Sequence, residues 1–400
     1  FGIERTLSEQ TGSADAPLFS AVKSISTPDD FTIVFNLSYA DDNFLYALTN
    51  PGAMPCDEEF FNLTNGKYGL DAKYLLCNGP FHVSKWTEKT SVKLAKNNEY
   101  NGESSVSPSS VTFYINNDDS EVADKMNSVT YDVAFLSSSQ FSSIENKKDL
   151  NSVAVQNVTY SFIFNQNDNN YRNKNMRLAF CRSCDTSSLF DSQSDISKAD
   201  GIVPPSCKIG GEDYRNGNAA ELLSYDETLA KKNFNDALLE LGSSSVETTI
   251  LCTEQYESFV KQMVQKLQKT LGVKFVSTVK VVSESDLESA VNDGNYSVAF
   301  YPFKAKSSFA GEIIEGFDQN NIFGYESDVL SQKIRNIKNN SGSLEGERSA
   351  VADAENYLVS EAVIMPVFYE NSYFVTSKKT SGIYFYSSAD NVCFINAKKS

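Results

Sequence analysis

Between residues 226 and 303 the chain alternates helix and strand signals at a spacing that a sheet layered between helices satisfies. Asp226 is placed to cap a helix whose Ala230, Phe234, Ala237, Leu238 and Leu241 share one face, and Gly242 is placed to end it. ETTILC, from Glu247 to Cys252, reads as a strand. The clearest helix follows, with Tyr256, Phe259, Val260, Met263, Val264, Leu267 and Leu271 at i, i+3 and i+4 spacings and Gly272 closing it. VKFVSTVKVV, SESDLESAVNDG and YSVAFYPF then read as strand, short helix and strand. In such a sheet, sites are expected at the carboxyl ends of the strands.

Outside this segment the pattern is mixed. A Thr27-Pro28-Asp29-Asp30 turn signal precedes an alternating strand ending near Leu37, and Phe81, Val83, Val92 and Leu94 describe a hairpin. VTFYINN, YDVAFL and TYSFIFN read as strands, NKNMRLAFCRSC and the stretch from about Glu345 to Val359 as helices, and VIMPVFY as a further strand. The Ser-rich SSVSPSS around Ser107 reads as a loop. With 400 residues, 40% of them apolar, two or three domains are expected. An aromatic content of 12% separates the chain from acidic disordered proteins.

The net charge of −17 repels phosphate backbones and anionic lipid heads, which argues against nucleic acid as a partner. His82 is the sole histidine, so sites and mechanisms that need two are excluded, and no GxSxG elbow, GxGxxG or GxxxxGK[ST] is present. Adjacent acids such as Asp41 with Asp42, or Asp118 with Asp119, read as solvated loop rather than a glycosidase pair. No enzymatic activity, cofactor or metal is expected. Cys181 and Cys184 form a lone CxxC, for which ordinary helix cysteines are the reading preferred over zinc. Cys56 and Cys77 bracket a polar, Gly-containing segment, the kind of loop a disulfide closes in an oxidising compartment. How Cys181, Cys184, Cys207, Cys252 and Cys393 pair is not fixed by spacing.

Five segments, in order, resemble the extracellular solute-binding proteins of family five, the peptide-type binding components of ABC importers. GPFHVSKWTEKTSVKLAKNNEYNGE is similar to a family stretch with GPY, a Trp and a strand leading to N-x-x-Y, and VTFYINNDDSEVADKMNSVTYDVAFL to the strand, helix and strand that follow it. TYSFIFNQNDNNYRNKNMRLAFCRSCD resembles the most recognisable block, with Asn165, Arg177, Ala179 and Asp185 at its positions. YDETLAKKNFNDALLELG and AENYLVSEAVIMPVFYENSYFV match in kind and order. The resemblance implies an α/β, bilobal periplasmic-binding-protein-like fold of type II, in the peptide-binding cluster, with mixed sheets flanked by helices. It divides the chain into a partial accessory lobe at 1–78, a partial lobe I at 79–157, lobe II at 158–372, and a return to lobe I at 373–400. Phe1 aligns with a helix well inside lobe I, so preceding lobe I residues and a targeting segment are expected to be missing.

The implied function is capture of a peptide or peptide-like solute in an interlobe cleft, followed by hinge closure and delivery to the membrane permease of an ABC importer. The protein is expected to be a monomer, lipid-anchored at the bacterial cell surface or periplasmic. A surface sensor or protein-interaction scaffold reusing the fold is the alternative. The family comparison assigns Phe135, Ser137, Ser138, Tyr160, Phe162, Tyr301, Phe303, Lys304 and Tyr369 to the cleft wall, although Phe162, in mid-strand, reads more as core. In oligopeptide binders of the family, an Asp after the strand equivalent to YSVAFYPF receives the ligand's α-ammonium group. Here Ala305 holds that position between Lys304 and Lys306, which implies loss of that ammonium contact and a preference for acidic ligands. Two solvated lysines are the alternative.

Overall fold

Seven strands form a mixed sheet within residues 122–378. In chain order they are β1 (Val133–Ser137), β2 (Leu150–Phe164), β3 (Ile196–Lys198), β4 (Val246–Thr253), β5 (Phe275–Val282), β6 (Val298–Lys304) and β7 (Ile364–Ser377). The spatial order is β5-β4-β6-β2-β7-β1, with β3 also paired to β7. β4 runs parallel to β5 and β6, whereas β2 is antiparallel to both β6 and β7. This computed structural model describes residues 1–39, 44–115, 119–186, 189–190, 195–304, 308–318, 321–340, 342–386 and 391–400. Asp41, Asp42, Asp118, Ala305 and Lys306 lie outside the described residues.

Side chains alternate across the sheet, so each face receives its own core. Phe162, Phe164, Ile250, Cys252, Val298 and Phe300 face α1 (Lys174–Ser183), α2 (Glu227–Leu241) and α3 (Glu257–Leu271). Ile163, Leu251 and Ala299 face α4 (Glu284–Asn292), α5 (Asp328–Asn339) and α6 (Leu344–Ser360). The expected layering of a sheet between helices is therefore observed. On α3, Phe259, Val260, Met263, Val264, Leu267 and Leu271 are buried, each worth about 1.5–3 kcal/mol relative to exposure. Asp226 caps α2 by accepting from the Leu229 N–H at 2.9 Å, and Gly242 ends it at φ +63°, a left-handed conformation that favours glycine.

Buried polar groups lock this larger unit. The Arg177 guanidinium donates to the carbonyls of Ala362 (3.0 Å), Tyr171 (2.8 Å), Arg172 (2.9 Å) and Glu361 (3.1 Å), tying the start of α1 to the turn after α6. Asn165 donates to the carbonyls of Gly294 (2.9 Å) and Tyr296 (2.7 Å), which fixes the turn between α4 and β6 against the end of β2. The Glu355 carboxylate on α6 accepts from the Ile202 N–H (2.6 Å), the Val203 N–H (2.9 Å), the Tyr214 hydroxyl (3.0 Å) and the Arg215 guanidinium. This folds the loop around IVPPS onto the helix.

The smaller unit comprises residues 1–121, 379–384 and 393–400. Helix Gly2–Leu7 and a hairpin of Val22–Asp29 with Thr32–Leu37 surround Ile3, Phe19, Phe44 and Ala47. The turn expected at residues 27–30 starts later. Pro28 and Asp29 still belong to the first strand, which tolerates Pro because it is an edge, and Asp29 accepts from the Phe31 N–H at 2.9 Å to set the turn. Phe81–Thr87, Ser91–Lys96 and Ser110–Tyr114 form the expected hairpin with a third strand added. The Cys56 to Cys77 segment is more than a loop: Asp57 caps the helix Glu58–Leu63, accepting from the Phe60 N–H at 2.6 Å. Among the described residues no helix is long and apolar enough to cross a membrane.

Candidate functional site

The carboxyl end of the sheet carries most of the candidate residues, yet strand alternation divides them between the faces. Pairing sets Lys304 against Val158, Pro302 against Tyr160 and Phe300 against Phe162, so these side chains share the face covered by α1 to α3. Across β2 on that face, β7 sets Phe368 against Tyr160 and Glu370 against Val158. Tyr301, Phe303 and Tyr369 point the other way. Tyr301 and Phe303 pack against the α4 to α6 core, with Phe303 stacked on Phe317 at a centroid distance of 5.7 Å. The Tyr369 hydroxyl accepts from the Asp200 N–H at 3.0 Å, anchoring the loop that Glu355 also holds. Phe162 is 0% exposed and belongs to the core.

Phe135, Ser137 and Ser138 sit at β1 and the short helix after it. Phe135 is half in solvent and packs on Phe374 and Phe385, with centroid distances of 5.2 and 5.4 Å. The Ser137 hydroxyl accepts from the Gln140 N–H at 3.2 Å as a helix cap, and Ser138 donates to the Asn371 carbonyl at 3.0 Å. Both hydroxyls therefore hold local structure. Tyr160 keeps a half-buried position at the sheet end, 4.4 Å between centroids from Tyr256, beside Phe300 and Phe368.

Sequence reasoning missed the polar groups around this aromatic cluster. Tyr256, just before α3, donates its hydroxyl to Glu370 at 2.6 Å, and Gln156 bridges Ser197 (2.8 Å) and Asn371 (2.6 Å) with its amide nitrogen. The available signal is a single Glu directly after the apolar run Ile364 to Tyr369. Elsewhere in the larger unit, Cys181, Cys184, Lys198, Leu222, Tyr225 and Met365 help line a cavity of about 210 Å³, below the volume of an ordinary ligand pocket. Among the described residues no group of three or more His, Cys, Asp and Glu is placed to hold a metal ion.

The model of the bacterial extracellular solute-binding proteins, family 5, matches residues 1–323. The chain belongs to this family. This solute-binding protein is 22% identical over 374 residues to the dipeptide-binding protein DppE of Bacillus subtilis, covering 90% of its own length and 67% of that relative. Its fold is similar over 100% of its length to 82% of peptide-bound OppA of Listeria monocytogenes, with a TM-score of 0.78 and 21% identity. A TM-score of 0.78 also relates it, at 18% identity, to the substrate-binding domain of an oligopeptide ABC transporter of Bacillus anthracis, of which 83% is covered. Within the block that carries the family resemblance, Asn165 and Arg177 bind backbone carbonyls, so in this solute-binding protein these two side chains lock the fold.

All seven cysteines of this solute-binding protein are free thiols in the structure, with Cys56, Cys77 and Cys393 half-buried and the other four buried. Arg5 donates to the Cys56 sulfur at 3.6 Å while lying over the Phe61 ring at 4.2 Å. Burial pushes the Cys181, Cys184 and Cys207 thiols up to about 12 and the Cys252 thiol up to about 11. At pH 8, then, about one such thiol in a thousand or fewer is the reactive thiolate. Iodoacetamide applied to reduced, folded protein is expected to label Cys56, Cys77 and Cys393 and to spare the other four, as read by peptide mass spectrometry. Labelling of Cys181 or Cys184 at a comparable rate would show that α1 opens in the native state.

Proposed function

We propose that this protein captures a peptide or peptide-like solute outside the cytoplasm and delivers it to the permease of an ABC importer, closing by a hinge as it binds. Membership of family 5 is the observation that carries this reading, and the shared fold of peptide-bound relatives supports it. In this proposal the protein acts as a monomer, held at the cell surface by a lipid anchor or free in the periplasm, and a Cys56–Cys77 disulfide forms in that oxidising setting. The sheet end of the larger unit, with Tyr160 at its centre, contributes the ligand-facing aromatic surface.

Denaturing the freshly purified protein and analysing the supernatant by mass spectrometry is expected to release a small peptide or peptide-like solute. Adding that solute back at a hundredfold excess over its Kd is expected to stabilise the fold by about 2.7 kcal/mol, and scattering is expected to show compaction. A protein that releases nothing and gains neither stability nor compactness from a peptide library would instead be a surface scaffold that kept the fold.

A further inference from the structure

We infer that the cavity beside the start of β7 is a second binding site, and that it takes a small monocarboxylate with a compact apolar body such as one aromatic ring. All its lining residues belong to the larger unit, and the inference stands whether or not the protein captures peptides. The cavity exists because β7 begins before one of its neighbours does. β3 pairs with β7 at Phe368–Glu370, and the Ala199 N–H donates to the Val367 carbonyl at 3.1 Å. At Ile364–Pro366, among the described residues, β7 has a partner strand on the β2 side alone. Pro366 suits such an open edge, since it has no N–H to leave unpaired. The segment Leu222 to Tyr225 and the end of α1 enclose this edge without filling it, and about 210 Å³ remains.

Volume and lining narrow the occupant. An apolar cavity of about 150 Å³ holds a benzene ring, so this one has room for a ring and one small polar group. Leu222, Leu223, Met365 and Val367 line it with alkyl groups. Burial keeps Cys181 and Cys184 as neutral thiols, so that wall carries no charge. Lys198 supplies the charge. It sits opposite Phe368 in the pairing of β3 with β7, so its side chain lies on the sheet face that α1 covers, and it lines the cavity while staying exposed to solvent. Among the described residues Lys198 has no ion pair. Asp185 is the one carboxylate in the lining, and Lys266 stands beside it, donating to its main-chain carbonyl at 2.7 Å. Two ammonium groups therefore flank the cavity against one carboxylate. A carboxylate held by Lys198 at the solvent side pays little desolvation while its apolar body fills the slot.

The probe is 4-fluorophenylacetate, followed through the methionine methyl resonances of protein labelled there with carbon-13. It is expected to shift the Met365 methyl saturably, with a Kd of about 1 mM, the range for a ligand of roughly ten heavy atoms. The methyl of Met54, in the smaller unit, is expected to stay where it is, and Met365→Leu assigns the signal. 4-Fluorobenzylamine, similar in size and opposite in charge, is expected to bind less tightly than the acid. Lys198→Met keeps the apolar stem and removes the charge of an exposed side chain, so its thermal midpoint is expected to be unchanged. It is expected to weaken the acid by about threefold or more, the scale of a solvent-exposed ion pair. No Met365 shift at about 10 mM acid, tenfold above that Kd, would overturn the site. An amine that binds as tightly as the acid, or a smaller loss in Lys198→Met, would overturn the carboxylate assignment.

Discussion

Glu355→Ala is expected to lower the unfolding free energy by about 3–5 kcal/mol, the usual cost of removing one partner from a buried ion pair. The Glu355 side chain is 2% exposed and that of Arg215 is 9% exposed. Truncation leaves the guanidinium buried beside an empty volume and removes the acceptor of two backbone N–H groups, at Ile202 and Val203, and of the Tyr214 hydroxyl. Each orphaned donor adds to the penalty, because a buried donor left without an acceptor keeps its desolvation cost. Urea denaturation followed by circular dichroism measures the loss. Replacing both partners together, Glu355→Leu with Arg215→Met, is expected to cost less than the single truncation, since it leaves no buried charge behind. A loss below about 1 kcal/mol for Glu355→Ala would show that the 200–218 loop separates from α6 readily, and that the network is not what holds it.

The helices of the sandwich were legible because burial there follows a local period. The six apolar positions Phe259, Val260, Met263, Val264, Leu267 and Leu271 define one face of α3 with no knowledge of what covers it. Glu355 was not legible, since its partners lie 140–153 residues away and nothing in AENYLVS marks its Glu as more buried than its neighbours. β2 shows the same limit within a strand. The pattern identifies the part from Thr159 onward, whereas the strand runs from Leu150 to Phe164, and its first half, with residues 151–154 all exposed between buried Leu150 and Val155, is a strand because β7 continues alongside it. For the site, the family comparison named neighbours such as Phe303 and Lys304 together, and the structure places them on opposite faces of the sheet. Successive residues of a strand face opposite ways, and two register shifts in β7, between Pro366 and Phe368 and between Glu370 and Ser372, decide which way. No single-sequence pattern announces those shifts.

Phe162→Ala is expected to cost about 3–5 kcal/mol of stability while leaving the affinity of the folded protein unchanged. The ring lies at the centre of the sheet face, 5.3 Å between centroids from Phe180 and 4.9 Å from Phe300, and has no exposed surface to offer a ligand. Its neighbour two residues earlier, Tyr160, stands at the point where that aromatic row reaches the sheet end. Truncation at Phe162 opens a cavity that α1 and β6 cannot close without moving, since both are pinned by their own hydrogen bonds, and the cost therefore lies nearer the upper end for Phe-to-Ala changes than a site able to relax. For a unit of this size each kcal/mol moves the thermal midpoint by roughly 2–4 °C, so scanning calorimetry reads the effect directly. Phe162→Leu, which keeps most of the volume, is expected to lose less than half as much. If instead Phe162→Ala melted like the wild type and lost affinity for the solute released from the native protein, the ring would be a ligand contact, and the boundary between core and site would lie one residue pair deeper along β2 than its burial places it.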